Sequence, residues 1–222
     1  MSQNAHPLFS TVIFDADSTL AAIEGIDWLG ALRGADVGLA VQQLTDRAMM
    51  GEVALEDVYA ARLDVIKPTL REIGQLSKAY IDSIEPGARE VISELQRAGV
   101  RVIIVSGGLR SALLPLAAFV GVAASSVFAV DLEHDSDGNY LSLAPNQLLS
   151  RQDGKPRIVH NLALQPRTAM VGDGSTDAAV REMTDIFIAY TGVVRRLPVV
   201  AVAHAEARNF AELRALLFET GA

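Results

Sequence analysis

Residues 11–20 read TVIFDADSTL and place two carboxylates directly after a short apolar run. The run Thr11–Phe14 is rich in β-branched residues and is typical of a strand buried on both faces. Asp15 and Asp17 follow where the chain leaves that strand, so both can face one crevice. Such a pair can hold a divalent cation, and an ionised aspartate can attack phosphorus. Taken alone, the same residues also fit a turn or a helix cap, because Asp, Ser and Thr favour both.

Further short apolar runs predict the rest of a parallel sheet. They are Val102–Val105, Val127–Val130, Ala169–Val171, Ile186–Ala189 and Val199–Val202. Most are separated by helical patterns, which indicates an α/β core of the doubly wound, Rossmann-like class with helices on both faces of the sheet. In such sheets ligands bind beyond the carboxyl ends of the strands, so the residues that follow each strand are the first candidates for a site.

A helical segment interrupts this core. Between Leu20 and Pro86 the strand pattern disappears, and apolar residues recur at helical spacing through Ile26–Leu32, Val37–Met50, Leu55–Ile66 and Leu70–Ile84. We therefore predict a catalytic core formed by residues 1–20 and 85–222, with residues 21–84 inserted as a small helical cap. A second insertion, Leu132–Ala144, contains the turn sequence SDGN at 136–139 and predicts a short β-hairpin flap.

Composition limits the classes of function. The chain has 222 residues, of which 50% are hydrophobic, which suits one folded α/β core with an insertion. A formal charge of −8 disfavours nucleic acid and anionic membranes as partners. The absence of cysteine excludes disulfides, thiolate nucleophiles and cysteine-based zinc sites.

Two features bear on location in the cell. The opening MSQNAHPLFS lacks the basic and apolar segments of a secretory signal. Residues 111–130 carry no charge, but Pro115, Gly121 and a serine pair divide them into a helix and a strand, which argues against a membrane span. We expect a cytoplasmic protein.

Other predicted strand ends carry polar groups as well. Val102–Val105 leads into Ser106-Gly107-Gly108, a hydroxyl and unhindered amides that suit a phosphate oxygen at a helix start. Ala169–Val171 leads into GDGSTD at 172–177, which adds Asp173 and Asp177. Acids gathered opposite Asp15 would repel one another unless a cation lay among them. Lys155 precedes a predicted helix near Pro156 and could neutralise a phosphoryl group, although a lone lysine is usually only solvated.

These four segments together resemble the four motifs of the haloacid dehalogenase superfamily. The segments are DADST at 15–19, SGG at 106–108, Lys155 and GDGSTD at 172–177, in that order. The resemblance implies that Asp15 is the nucleophile, and that Asp17 protonates the leaving alcohol and later activates the hydrolytic water. Dehalogenases of this superfamily lack the second acid, so Asp17 favours a phosphatase.

The resemblance also implies how metal and phosphate are held. Mg²⁺ would be the cofactor, and the metal-binding residues would be Asp15, Asp17 through its backbone carbonyl, Asp173 and Asp177. The transferring phosphoryl oxygens would be gripped by Ser106, the Gly107 amide and Lys155. Magnesium, manganese and cobalt stay open as the metal in use.

The inserted segment resembles the cap of the phosphoserine phosphatase branch of this superfamily. In that branch the glutamate of a segment like Glu24–Asp27 receives the substrate ammonium, and an arginine that falls on Arg62 receives its carboxylate. Thr176 stands where asparagine is common, at a position that contacts substrate. Leu55 and Leu109 depart from the phenylalanine of many relatives. The resemblance implies a small phosphomonoester as the partner, with phosphoserine as the expected substrate.

Two alternatives stay open at this point. One is a phosphatase for another small ester, such as phosphothreonine or phosphohomoserine. The other is a phospho-acceptor signalling domain that stores a phosphoryl group without turnover, although such a domain needs neither Asp17 nor a cap. The sequence leaves open whether the protein is a monomer or a homodimer.

Overall fold

A computed structural model describes residues 6–219 of the chain. Residues 1–5, part of the N-terminus discussed above, and residues 220–222 lie outside the described residues. The strands are β1 (Thr11–Phe14), β2 (Arg101–Leu109), β3 (Val127–Val130), β4 (Leu132–His134), β5 (Tyr140–Leu143), β6 (Thr168–Gly172), β7 (Ile186–Tyr190) and β8 (Ala205–Ala207). The α-helices are α1 (Gly25–Ala31), α2 (Ala35–Met49), α3 (Leu55–Ile66), α4 (Leu70–Asp82), α5 (Ala88–Arg97), α6 (Arg110–Phe119), α7 (Gly154–Asn161), α8 (Ser175–Ala178), α9 (Leu197–Val202) and α10 (Phe210–Leu217).

The core is a parallel sheet with strand order β3-β2-β1-β6-β7-β8. Thr11 of β1 lies opposite Arg101 of β2 on one side and Thr168 of β6 on the other. All four residues of β1 are buried, as expected for a central strand covered on both faces. The doubly wound α/β fold predicted from the sequence is confirmed.

One predicted strand is wrong. Val199–Val202 belongs to α9, which begins at Leu197 with Pro198 in its first turn. Proline suits that position because its φ is already helical and its missing N–H would have no helical partner. The edge of the sheet beside β7 is taken instead by Ala205–Ala207, whose Ala205 pairs with Ile188. A β-branched run was therefore misleading where the sheet edge is occupied by a neighbouring segment.

The segment between β1 and α5 is helical, as predicted, and contains α1 to α4. Its two ends run side by side, since the Ala22 amide donates to the Ser83 carbonyl and the Glu85 amide donates to the Leu20 carbonyl. Helix α4 packs extensively on α6 of the core. The side-by-side ends support the division into a core and a cap of residues 21–84, which we retain as a proposal.

The predicted flap is present as the antiparallel pair β4–β5. It contacts the start of α4, because the Leu70 amide donates to the Gly138 carbonyl at 2.9 Å. His134 Nε2 lies 3.0 Å from the Pro68 carbonyl oxygen. The flap therefore lies against the α3–α4 junction.

Within residues 6–219, none of the helices combines the length and the apolar character needed to cross a bilayer. The uncharged stretch at 111–130 is divided between α6 and β3, as predicted.

Candidate active site

One cavity lies at the carboxyl edge of the sheet, between the ends of the core strands and helices α1 to α3. The residues that line it and were singled out from the sequence are Asp15, Asp17, Glu24, Leu55, Arg62, Gly107, Lys155, Asp173 and Thr176. Ser106 and Asp177 lie behind this lining and contact it through their side chains. Tertiary structure thus brings together residues that are far apart in the chain.

Asp15 and Lys155 form the centre of the cavity floor. Asp15 directly follows β1 and is buried, and its Oδ2 lies 2.9 Å from Lys155 Nζ. Its Oδ1 accepts a hydrogen bond of 2.7 Å from the Ala16 amide. Burial alone would lower the pKa of Lys155, but the charges of Asp15 and Asp177 outweigh it and raise that pKa. Lys155 therefore carries a positive charge beside the Asp15 carboxylate.

Asp177 forms a second ion pair with Lys155. Its Oδ1 lies 2.5 Å from Lys155 Nζ, and its Oδ2 accepts a hydrogen bond of 3.1 Å from the Gly174 amide. Burial raises the pKa of Asp177 to about 7, against the opposing effect of Lys155. Gly172 is required beside it, because a Cβ at that position would lie 2.2 Å from Asp177 Cγ.

Three buried carboxylates lie close enough to share a cation. One oxygen of each of Asp15, Asp173 and Asp177 lies within 4.8 Å of the others. Hard divalent cations prefer such oxygen ligands, and a cation there would offset the mutual repulsion of the acids. Arg196 forms an ion pair with Asp173. The donor set fits a divalent metal ion.

The Asp17 side chain does not point into this triad. Its Oδ1 accepts hydrogen bonds from the Gly25 amide at 2.7 Å and from the Tyr80 hydroxyl at 2.6 Å. Burial, reinforced by the charge of Asp15, raises the pKa of Asp17 to about 6. A carboxyl with a pKa in this range can give and take a proton near neutral pH, which is what a general acid–base group requires.

Glu24 lies at one end of the cavity, just before α1. Its Oε1 accepts a hydrogen bond of 2.6 Å from the Ser18 hydroxyl and lies 3.6 Å from Arg196 Nη2. Burial, followed by the charge of Asp17, raises the pKa of Glu24 to about 8. A carboxyl in this environment would be stabilised in its charged form by a cationic ligand.

Arg62 reaches the cavity from α3 and is 4% exposed. Its Nη1 donates a hydrogen bond of 2.5 Å to Thr45 Oγ1, and the Thr45 hydroxyl donates one of 2.5 Å to Asp27 Oδ1. Its guanidinium carbon lies 5.4 Å from the centroid of the Tyr59 ring. Arg62 Nε is buried and has no partner among the described residues, so it can donate to an anionic ligand.

The segment Ser106–Gly108 differs in detail from the prediction. It is the end of β2, and the following helix begins only at Arg110. Ser106 Oγ accepts a hydrogen bond of 3.1 Å from the Gly108 amide and lies 3.3 Å from Asp17 Oδ2. The Gly107 carbonyl accepts one of 2.6 Å from Tyr59, which connects α3 to this strand end.

Several residues of the site were missed from the sequence. Tyr59, Thr45 and Tyr80 lie on helices, where they are indistinguishable from ordinary members of a buried face. Arg196 could have been noticed, because it follows the carboxyl end of β7 and such positions are the first candidates for a site.

The chain is similar to known proteins in both sequence and fold. Residues 12–181 match the model of the family described as haloacid dehalogenase-like hydrolase. A chloroplastic phosphoserine phosphatase of Arabidopsis thaliana is 36% identical over 86% of this chain and 66% of its own length. A phosphoserine phosphatase of Rattus norvegicus is 33% identical over 91% of this chain and 90% of its own. A solved structure described as a phospho-aspartyl intermediate analogue of phosphoserine phosphatase has a TM-score of 0.78 and 26% identity, covering 94% of this chain and 99% of that one.

Proposed function

The chain belongs to the haloacid dehalogenase-like hydrolase family, and we propose that it hydrolyses O-phospho-L-serine to L-serine and phosphate with Mg²⁺ as cofactor. The observation that carries the proposal is that one cavity holds Asp15 and Lys155 at its floor with Glu24 and Arg62 around it. A nucleophile, a cation for the phosphoryl group, an acid for an ammonium and a guanidinium for a carboxylate match the groups of phosphoserine. The relatives named above carry the same activity in their names.

The first step forms a covalent aspartyl-phosphate. An Asp15 oxygen attacks phosphorus, the bond between phosphorus and the serine oxygen breaks, and the proton of Asp17 passes to that oxygen to release serine. Lys155 offsets the negative charge on the phosphoryl oxygens, and the Gly107 amide and Ser106 hydroxyl orient them. Bound Mg²⁺ would be held by Asp15, Asp173, Asp177 and the Asp17 carbonyl, and it would supply further charge neutralisation.

The second step regenerates the enzyme. Asp17, now ionised, takes a proton from water while the water oxygen attacks phosphorus. The bond between phosphorus and the Asp15 oxygen breaks, so Asp15 returns to a carboxylate and inorganic phosphate leaves. One residue can serve as acid and then as base because the raised pKa of Asp17 lies near neutral pH.

Substrate recognition is assigned to the cap side of the cavity. Glu24 would receive the ammonium of phosphoserine, Arg62 would receive its carboxylate, and Thr176 would contact the substrate from the core side. Arg62 Nε is buried and has no partner in the part of the chain that the structure describes, which supports this role, because a buried N–H without a partner is costly unless a ligand accepts from it. Movement of the proposed cap, residues 21–84, would admit substrate and then exclude water.

The alternative of a phospho-acceptor signalling domain is disfavoured. Asp17 lies beside the nucleophile with a hydrogen-bonded carboxyl, and helices cover the cavity, features that a domain storing a phosphoryl group does not need. A cytoplasmic location stays a prediction, since one of the relatives is named as chloroplastic.

The test is phosphate release from L-phosphoserine, measured with and without Mg²⁺ and against phosphothreonine, phosphohomoserine and phosphoethanolamine. We expect Mg²⁺-dependent turnover with phosphoserine preferred in kcat/KM by at least about 100-fold, and loss of turnover in Asp15→Asn. Equal activity across the panel would retain the mechanism and refute the substrate. Turnover by Asp15→Asn at the wild-type rate would refute the mechanism.

A further inference from the structure

The two oxygens of the Asp17 carboxyl group have different surroundings. Oδ1 accepts from the Gly25 amide at 2.7 Å and from the Tyr80 hydroxyl at 2.6 Å. Within residues 6–219, Oδ2 has only the Ser106 hydroxyl as a hydrogen-bond partner, at the longer distance of 3.3 Å. Because Oδ1 already accepts two short hydrogen bonds, Oδ2 is the oxygen free to carry and transfer a proton.

Two glycines make room for this arrangement. A Cβ on Gly25 would lie 2.1 Å from the Tyr80 hydroxyl oxygen. A Cβ on Gly108 would lie 2.7 Å from Asp17 Oδ2 and 3.2 Å from the Tyr80 hydroxyl oxygen. Neither glycine has a positive φ, so backbone strain does not explain them. The absence of side chains at both positions allows the tyrosine hydroxyl to reach the carboxyl group.

Tyr80 is held firmly in place. It lies on α4 with its side chain fully buried, and α4 packs on α1 and α6. The start of α4 is fixed by a capping box between Thr69 and Glu72. Arg33 adds an ion pair of 2.6 Å to Glu72. The phenol hydroxyl is therefore presented to Asp17 from a packed helix of the proposed cap, in the arrangement where the cap covers the cavity.

We propose that Tyr80 is a positioning residue for the reaction, which holds the Asp17 carboxyl group so that its Oδ2 faces the leaving oxygen of the substrate. The inference rests on the proposed function, in which Asp17 is the acid of the first step. Without the tyrosine hydroxyl, Oδ1 keeps the hydrogen bond from the Gly25 amide, so the carboxyl group is held less firmly and can turn about its Cβ–Cγ bond, which misdirects its proton. A displacement of a reacting group by about 1 Å can lower the reaction rate by about 100-fold.

The experiment compares two substrates that differ in their need for a proton on the leaving group. The leaving group of phosphoserine is an alkoxide unless its oxygen is protonated during bond cleavage. The leaving group of acetyl phosphate is acetate, which is stable without a proton. Formation of the aspartyl-phosphate is followed by rapid quench in wild type and Tyr80→Phe, which loses only the hydroxyl. We expect formation from phosphoserine to slow by about 10- to 100-fold, with unchanged KM, and formation from acetyl phosphate to change by less than about threefold.

A matched control removes another buried tyrosine hydroxyl. Tyr190 donates to Glu85 away from the cavity, so Tyr190→Phe should leave both formation rates unchanged. Should Tyr80→Phe fail to fold, Gly25→Ala provides a second route, because its added methyl must displace the Tyr80 hydroxyl; it should give the same dependence on leaving group.

Equal slowing with both substrates would overturn the inference, since it would indicate general damage to the site. Unchanged formation from phosphoserine would overturn it as well. Failure of the proposed substrate is separate and appears in the wild-type protein as absent turnover of phosphoserine. The alkyl phosphate that wild type hydrolyses fastest then replaces phosphoserine in the comparison.

Discussion

The environment of Glu24 predicts a pH dependence specific to the substrate ammonium. Burial raises the pKa of Glu24 to about 8, so the carboxyl group is mostly neutral at neutral pH in the free protein. A carboxyl group is charged above its pKa, and only the charged form attracts an ammonium strongly. We therefore expect recognition of phosphoserine to improve as pH rises through about 8.

The size of the effect follows from simple titration. With a pKa of about 8, the ionised fraction of Glu24 is about 3% at pH 6.5 and about three quarters at pH 8.5, a ratio of roughly 25. The matched substrate is 3-phosphoglycerate, which carries a hydroxyl where phosphoserine carries its ammonium. Titration of Asp17 or of the phosphate acts on both substrates and cancels when their kcat/KM values are divided.

The assay is kcat/KM for both substrates in saturating Mg²⁺ between pH 6.5 and 8.5. The ratio of phosphoserine to 3-phosphoglycerate should rise by about 10- to 30-fold across this range, and Glu24→Gln should remove the rise. A ratio that stays flat or falls in wild type would refute the assignment of Glu24 to the ammonium. A rise that persists in Glu24→Gln would assign the titration to another group.

Three further predictions concern positioning, metal and packing. Thr45→Val should raise KM for phosphoserine about tenfold, because Arg62 loses a hydrogen-bond acceptor for its charged group. The KM for phosphoethanolamine, which has no carboxylate, should not change, and Thr45→Ser should restore the wild-type KM for phosphoserine. Mg²⁺ at about 100 times its dissociation constant should raise Tm in a thermal melt by about 5 to 10 °C, and a similar rise in Asp173→Asn would contradict the proposed ligand. Gly172→Ala should cost about 3 kcal/mol of folding stability, seen as a lower denaturant midpoint, because the added Cβ overlaps Asp177; a wild-type midpoint would show that Asp177 can move away.

Local patterns were sufficient for most of the fold. The β-branched run at Thr11–Phe14 and the similar runs at 102–105 and 127–130 are strands, because continuous apolar segments of this length are stable when covered on both faces. Leu55–Ile66 is a helix with the predicted bounds, because its apolar spacing matches one helical face. Local pattern failed at Val199–Val202, because the strand that occupies that edge of the sheet, Ala205–Ala207, is short and has little sequence pattern of its own.

The residues of the candidate site fall into two groups, those that local sequence pattern identifies and those that it does not. Asp15, Asp17, Asp173 and Lys155 could be chosen from the sequence, because they follow predicted strands or belong to motifs with fixed order. Tyr80 could not be found, because its hydroxyl meets Asp17 across a separation of 63 residues and its position on α4 resembles that of any buried aromatic.

Sequence alone thus determined the fold class and the acids of the candidate site, since both depend on short-range pattern and on strand ends. Tertiary structure alone decided which oxygen of Asp17 is held, that Thr45 links Arg62 to Asp27, and that Arg196 reaches both Glu24 and Asp173. These contacts join distant segments, and their geometry depends on helix packing that no local pattern specifies.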